Sequence, residues 1–379
     1  MKAVRTIAIC IVFVFTFGMC NIHAQEISID VSAPSALLMD YSTGKILYEK
    51  NSLDQRPLAS VTKIMTMLLA MEEISAGNLS YDDTITGSAH AKSYGGSTIF
   101  LDEGEQMSVR DIIKGIAVAS GNDAAVALGE HISGSEEAFV QRMNQKAKEL
   151  GMENTNFVNC NGLDADGHYS CAYDIALMSR ELMKYNDIFE FTTIWMDSLR
   201  NGQFTLSNTN KLVRFYEGCT GLKTGSTSKA GFCISATAKR DNLHLICVIM
   251  GAETSKKRQA DASSLLSYGF ANYAINNYVQ KDAEVAELKV EKGMSKTVKI
   301  ITKEDCSYLG AKNEKAEHET VIKLDKKIKA PVQKGDLAGS LVVNVNGKEF
   351  KTIDLICAQT IEKVTYGYVI RELLTDWLC

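Results

Sequence analysis

At 379 residues, with 45% hydrophobic and 23% charged residues, the chain has room for about two domains of roughly 150 residues, each with its own core. Only three prolines beside 27 glycines exclude collagen-like and proline-rich disordered chains. A net charge of −5 without any Lys/Arg stripe speaks against nucleic-acid binding, and a mean hydropathy of −0.07 against a multi-span membrane protein.

In chain order, Lys2 and Arg5 precede an apolar run, Ile7 to Phe17, broken only by Thr16 and followed by small or mildly polar residues up to Ala24. This is the layout of a secretory signal peptide, residues 1–24, cleaved after Ala24. The run is short for a bilayer, which needs roughly 20 apolar residues. Residues 36–40 and 45–48 read as strands around a Tyr41-Ser42-Thr43-Gly44 turn. Beyond Pro57 a helix buried on most sides runs from Val61 to Ile74. Val109, Ile112, Ile113 and Ile116 give 109–119 helical spacing, and further helices follow at 123–132, 135–150 and 172–186. At 219–250 the period changes: Ala230–Lys239 and Leu243–Met250 read as a hairpin, and a last helix is expected over 257–279. After Asp282 come short strands at 284–291, 296–302, 320–324 and 340–356, with Asn346-Gly347 as a hairpin turn.

These elements suggest a first domain over 25–282, a small all-β domain over 283–360 and an amphipathic helix over 361–379. In that helix Tyr366, Val369, Ile370, Leu373, Leu374 and Trp377 share one apolar face. Membrane-surface contact and packing back on the β domain are both open. Glu362, Glu372 and Asp376 outnumber Lys363 and Arg371, and Gly367 weakens the helix. Ten cysteines include Cys10 and Cys20 in the leader; Cys233 and Cys247 sit on adjacent strand-like runs where a bridge could form. No Cys-x-x-Cys or His-x-x-x-His spacing supports a metal, and no cofactor is implied.

Ser-x-x-Lys occurs three times, at Ser42–Lys45, Ser60–Lys63 and Ser226–Lys229. Only Ser60–Lys63 opens an apolar helix, where a three-residue step puts both side chains on one face. A desolvated Lys63 amine could then take the Ser60 proton, with the helix N-terminus favouring the developing negative charge. Taken alone, the motif reads better as an N-cap serine beside a snorkelling lysine. Two further signals reverse that balance. Ser120-Gly121-Asn122 falls between two helices, and Lys223-Thr224-Gly225 lies on the strand-like run before the hairpin.

The three motifs, in this order and on these element types, resemble the penicillin-binding and serine β-lactamase superfamily. Gly95-Gly96-Ser97, Val109 to Glu130, Asn161-Gly162-Leu163-Asp164 and Thr220 to Gly251 narrow this to low-molecular-mass D-alanyl-D-alanine carboxypeptidases, particularly the Gram-positive group. The resemblance runs through about residues 27–275 and, more weakly, the β-rich segment and terminal helix. It implies an α/β (α+β) transpeptidase-like domain, an antiparallel sheet flanked by helices with an all-α lobe carrying Ser120, followed by a small all-β domain.

It also implies roles. Ser60 would attack the penultimate D-Ala carbonyl of a peptidoglycan stem peptide, Lys63 would be general base, and Ser120 would relay a proton with Lys223. Asn122 would hold the substrate amide and the Lys63 amine; Lys223, Thr224, Gly225 and Arg258 would bind the terminal D-Ala and its carboxylate; the backbone N–H groups of Ser60 and Ser226 would form the oxyanion hole. Partners would be stem peptides and β-lactam antibiotics, with peripheral membrane contact through 361–378, on the outer face of the cytoplasmic membrane. Two positions depart from the family: Asn161 stands where His is frequent, and Tyr173 where Arg is. Two rivals share the residues: a class A β-lactamase, whose Glu-x-x-Leu-Asn deacylation pattern is absent, and a non-catalytic penicillin-binding sensor.

Overall fold

The first hairpin forms as expected, from Ser35–Asp40 (β1) and Ile46–Lys50 (β2), and opens a five-stranded antiparallel sheet. In this computed structural model residues 29–370 are described, except 315, 316, 326 and 369. The expected signal peptide and most of the amphipathic C-terminal helix therefore lie outside the described residues.

The remaining strands are Cys219–Thr227 (β3), Gly231–Arg240 (β4) and Leu243–Ala252 (β5), and the sheet order is β2-β1-β5-β4-β3. β4 and β5 meet in a two-residue turn at Asp241–Asn242, with Asp241 at φ 49°. Both strands are near-continuous apolar runs because both faces are covered. Ile246, Val248 and Met250 join the large core with Lys63–Ser75 (α1) and Ala172–Leu182 (α5). Leu245 points the other way, onto Ser255–Asn272 (α6), where a Cβ on Gly269 would come within 2.5 Å of its Cδ1. The sheet is thus the middle layer of three.

The helical lobe contains Val109–Lys114 (α2), Asn122–Ser133 (α3) and Glu136–Glu149 (α4). Ile112, Ile113, Ile116, Ala124, Leu128 and Phe139 fill its interior against α1. The helix expected over 109–119 is α-helical only to Lys114 and then widens into a π-turn, Gly115–Ala119. That extra residue per turn delivers Ser120 in the left-handed region, at φ 64° and ψ 33°.

The helix expected over 257–279 ends at Asn272, and Tyr273–Val279 (β6) continues as a strand paired with Cys306–Ala311 (β9). Aromatic and β-branched residues and an available strand edge outweigh the local helical spacing. The all-β part also holds Glu284–Glu291 (β7), Thr297–Thr302 (β8), His318–Leu324 (β10), Ile328–Lys329 (β11), Leu337–Val345 (β12) and Lys348–Cys357 (β13). Their sheet order is β10-β12-β13-β8-β7-β11. Val298, Ile300, Leu341, Val343, Ile353 and Leu355 form its core. Asn346 and Gly347 make the expected turn at φ 51° and 73°. All seven described cysteines are free thiols; Cys247 faces Ala236 across the ladder, not Cys233.

Candidate active site

Ser60 sits in a 3-10 turn, Ala59–Thr62, that leads directly into α1. The turn is tight enough to hold Ala59 at φ 49°. The Thr62 hydroxyl donates to the Ala59 carbonyl at 2.8 Å and contacts His168 Nε2 at 2.8 Å. Because the Val158 N–H donates to His168 Nδ1, Nε2 carries the proton. Burial pushes His168 down to about 4, so it stays neutral at physiological pH. From the other side, the Asn161–Asp164 turn presses on Ala59: a Cβ on Gly162 would overlap the Ala59 carbonyl.

Lys63, the first residue of α1, is fully buried and points back at Ser60. Its Nζ lies 3.0 Å from Ser60 Oγ and also donates to Asn122 Oδ1 at 2.6 Å and the Asn161 carbonyl at 2.5 Å. Burial pushes this amine down to about 7, against the opposing pull of Cys160 and Asp123. An amine of lowered pKa, hydrogen-bonded to a half-buried serine, is chemically able to take that serine's proton.

Ser120 and Asn122 reach the same point from the junction of the π-turn and α3. The Asn122 N–H donates to the Ser97 carbonyl at 2.7 Å and its Nδ2 to the Gly95 carbonyl at 2.7 Å. Asp123, next in sequence, accepts from the N–H groups of Ile99 and Leu101 and so fastens the 95–101 loop to α3. On the opposite wall Lys223 is buried and donates to the Thr224 carbonyl at 2.9 Å. Burial, then the charges of Lys63 and Arg258, hold its amine well below the usual lysine range. The Thr224 hydroxyl donates to Thr209 Oγ1 at 2.7 Å. Gly225 and Ser226 close this wall beside the Ser60 backbone nitrogen.

Arg258 enters from α6. Nη1 faces the carbonyls of Gly225 and Cys233 at 3.4 and 3.3 Å, Nη2 donates to Ser255 Oγ at 3.2 Å, and Nε has no hydrogen-bond partner among the described residues. Desolvation lowers its pKa to about 10, still cationic at neutral pH. All nine residues singled out from the sequence lie in or directly behind one cleft of about 160 Å³. Two larger hollows, of about 320 and 460 Å³, lie between the 240–243 turn and β6, away from any nucleophile–base pair.

The cleft also recruits residues that the sequence did not single out as functional. Ser97, Thr209, Phe232 and Ser255 line it, and Asp123 and the Asn161 carbonyl position its contents. Asp123 had a signal, standing next to Ser-Gly-Asn at a helix start; Thr209 and Phe232 had none. Asn161 contributes its backbone carbonyl to Lys63, so the side chain at this position is not what touches the base. Tyr173 packs at the core margin, its N–H on the Ser52 carbonyl at 3.0 Å.

Three layers with an all-helical lobe, and a serine–lysine pair between lobe and sheet, are the architecture of the penicillin-binding fold. The comparisons with known proteins specify it further. The D-alanyl-D-alanine carboxypeptidase family profile matches residues 21–254, and that of the penicillin-binding protein 5 C-terminal domain matches 273–363. The chain is 44% identical to D-alanyl-D-alanine carboxypeptidase DacF of Bacillus subtilis over 349 residues, 91% of this chain and 90% of that protein. It is 32% identical to DacC of Escherichia coli, covering 93% and 90%. Among solved structures it matches penicillin-binding protein 5 of Haemophilus influenzae at 31% identity with a TM-score of 0.72, over 89% of this chain and 99% of that one. Ampicillin-bound penicillin-binding protein D2 of Listeria monocytogenes matches at 33% identity with a TM-score of 0.59, over 64% and 99%. The chain belongs to the D-alanyl-D-alanine carboxypeptidase family of serine peptidases.

Proposed function

We propose that the protein removes the terminal D-Ala from peptidoglycan stem pentapeptides through an acyl-enzyme on Ser60, and that β-lactams acylate the same serine. The observation that carries this reading is the buried, near-neutral Lys63 amine 3.0 Å from Ser60 Oγ. As the Ser60 oxygen bonds to the penultimate D-Ala carbonyl carbon, its proton passes to Lys63 Nζ. The carbonyl oxygen becomes an oxyanion, held by the backbone N–H groups of Ser60 and Ser226. When the intermediate collapses, the C–N bond breaks and the leaving D-Ala amine takes a proton through Ser120, supplied from the Lys63–Lys223 side. Water then adds to the ester carbonyl carbon and gives a proton to Lys63; as the C–Oγ bond breaks, that proton passes from Lys63 back to Ser60 Oγ and the shortened peptide leaves. Asn122 holds the substrate amide. Arg258, with Lys223 and Thr224, binds the free carboxylate that marks the chain end.

The substrate is outside the cytoplasm, so the reading includes export through residues 1–24 and contact of 361–378 with the membrane surface. If the chain cut after Thr360 partitions with membranes as well as the full chain, the contact is wrong. The activity is tested by D-Ala release from an acylated pentapeptide beside penicillin consumption. Repeated D-Ala release with one stable penicillin adduct is expected. Steady penicillin turnover without D-Ala release would make the protein a β-lactamase. Labelling with neither reaction would make it a sensor.

A further inference from the structure

One carboxylate in the helical lobe is joined to both loops that hold the base, yet it does not line the cleft. Glu136, the first residue of α4, is buried. Its Oε1 accepts from the Cys160 N–H at 3.2 Å and thiol at 3.3 Å. Its Oε2 accepts from the Tyr94 hydroxyl at 2.6 Å and from His90 Nε2 at 2.9 Å. Four donors on one buried carboxylate is full satisfaction, and such a group costs little to bury only while they all stay in place. Burial alone would raise the Glu136 pKa, but the donors from Tyr94, His90 and Cys160 outweigh it and keep the carboxyl below its usual range. Burial and Glu136 itself push the Tyr94 hydroxyl and Cys160 thiol upward, so both remain protonated donors.

Two of the donor residues, Tyr94 and Cys160, each stand one residue from a carbonyl of the site. Tyr94 precedes Gly95, whose carbonyl takes Asn122 Nδ2 at 2.7 Å. Cys160 precedes Asn161, whose carbonyl takes Lys63 Nζ at 2.5 Å. Asn122 Oδ1 and Lys63 Nζ meet at 2.6 Å and close the ring. We infer that Glu136 is a positioning residue for the acylation step, clamping the 94–95 and 160–161 loops so that Asn122 and the Asn161 carbonyl hold the Lys63 amine on Ser60. The inference rests on the proposed role of Lys63. Glu136 touches neither Ser60 nor Lys63 and acts through the two loops.

Loss of the clamp has two consequences. The amine drifts from Ser60 Oγ, which lowers the acylation rate. It also loses acceptors that favour its charged form, so the Lys63 pKa falls and the acidic limb of the acylation profile moves to lower pH. Of the other charged or titratable groups facing Lys63, Lys223 and Asp123 are held by contacts that do not involve Glu136, while Cys160 moves with the released loop.

The experiment is second-order labelling of the full chain by a fluorescent penicillin from pH 5 to 9, with thermal melts as a folding control. Glu136→Ala should lower the plateau rate about tenfold with an acid-shifted limb. Tyr94→Phe, which removes one arm while keeping the ring, should lower it about threefold. The double variant should be no slower than Glu136→Ala alone, because Tyr94 acts through Glu136. A folded Glu136→Ala protein labelled within twofold of wild type with an unshifted limb overturns the clamp, as do losses that multiply. Should Glu136→Ala fail to fold, Tyr94→Phe decides alone: an unchanged rate and profile sinks the inference. Penicillin labelling reports Ser60 acylation whatever the natural substrate. A chain that labels normally but releases no D-Ala fails the proposed function and leaves this test intact.

Discussion

Gly225 lies against the backbone of Ser60: a Cβ at this position would come within 2.7 Å of the Ser60 nitrogen and 2.9 Å of the Val61 nitrogen. Both neighbours are backbone of the 3-10 turn that leads into α1, so neither can swing aside. Gly225→Ala must therefore part the β3 edge from the Ser60 turn and spread the two N–H groups proposed for the oxyanion hole. A displacement of about 1 Å at reacting atoms costs about 10²-fold. We expect that loss in both penicillin acylation and D-Ala release, with the far-UV spectrum unchanged. An alanine variant within threefold of wild type would mean that β3 does not form the hole.

Ser60 is only half buried and contributes little to packing, so Ser60→Ala should fold and melt like wild type while losing D-Ala release and covalent labelling together. Lys63→Ala should lose acylation too, since no other amine stands within hydrogen-bonding distance of Ser60 Oγ among the described residues. Mass spectrometry of the labelled protein checks both. An adduct on a different serine in the Ser60→Ala protein would displace the assignment, and a Lys63→Ala rate within tenfold of wild type would remove Lys63 as base.

The Lys63 amine, held at about 7 by burial, fixes the shape of the pH profile. Acylation needs the neutral amine, so its rate should fall about tenfold per unit below pH 7 and level off above it. The stability effect has a definite sign. Between about 7 and 10.5 the unfolded chain keeps this proton while the folded one has lost it, so this group makes stability rise with pH across that window. Lys223, shifted in the same direction, adds to the slope. Lys63→Met should remove the kinetic limb and flatten the rise in melting temperature. A wild-type acylation rate constant from pH 5.5 to 8 would mean that the amine is not the titrating base.

How legible the site was depended on how local its signals are. Ser60 and Lys63 are one helical step apart, and Ser120-Gly121-Asn122 and Lys223-Thr224-Gly225 are each contiguous, so the three motifs can be read together, and their joint resemblance to a known family, more than spacing alone, selects them. The strands of the central sheet were equally legible, because β4 and β5 are mainly apolar runs around a polar turn. What the sequence hid is set by tertiary contact. The strand at Tyr273–Val279 exists because β9 offers it an edge. The π-turn that aims Ser120 left no mark in the spacing of Val109, Ile112, Ile113 and Ile116. Glu136 reads as an ordinary first-turn acid, and only the fold joins it to Tyr94 and Cys160.

Arg258 should decide whether the enzyme acts at chain ends. It reaches the cleft as a buried cation whose Nε has no partner among the described residues. A hydrogen bond to a charged group contributes about 1.5–3 kcal/mol, or about 10–100-fold. Arg258→Ala should therefore lower kcat/KM by that factor for a peptide ending in free D-Ala. It should barely change the rate for the same peptide ending in D-Ala amide. Discrimination between the two substrates is the quantity to measure. If both substrates slow equally, Arg258 supports the Gly225–Cys233 backbone instead of reading the carboxylate.

The fate of the penicilloyl-enzyme separates this protein from a β-lactamase of the same fold. Hydrolysis of the Ser60 ester requires an activated water on an accessible face. A class A enzyme assigns a glutamate to that task, whereas among the described residues this cleft is lined by serines, threonines, Gly225, Phe232 and Arg258 and by no carboxylate. Lys63 remains as a base, and it must also activate water against the peptidyl-enzyme. The two esters differ in what stays behind. D-Ala departs and leaves room for water, while the opened β-lactam keeps its amine tethered in a cleft of only about 160 Å³. Losing effective general-base assistance costs about 10²–10⁴ in rate, equivalent to about 3–5 kcal/mol of barrier. The penicillin adduct should therefore persist for minutes or longer under conditions where D-Ala release turns over many times. Intact-protein mass spectrometry after a penicillin pulse should show one adduct, carried on the Ser60 peptide, decaying far more slowly than the peptide turnover time. A return to the unmodified mass within seconds, with continuing penicillin consumption, would show that water reaches the tethered ester and that Lys63 alone is a competent deacylation base for both substrates.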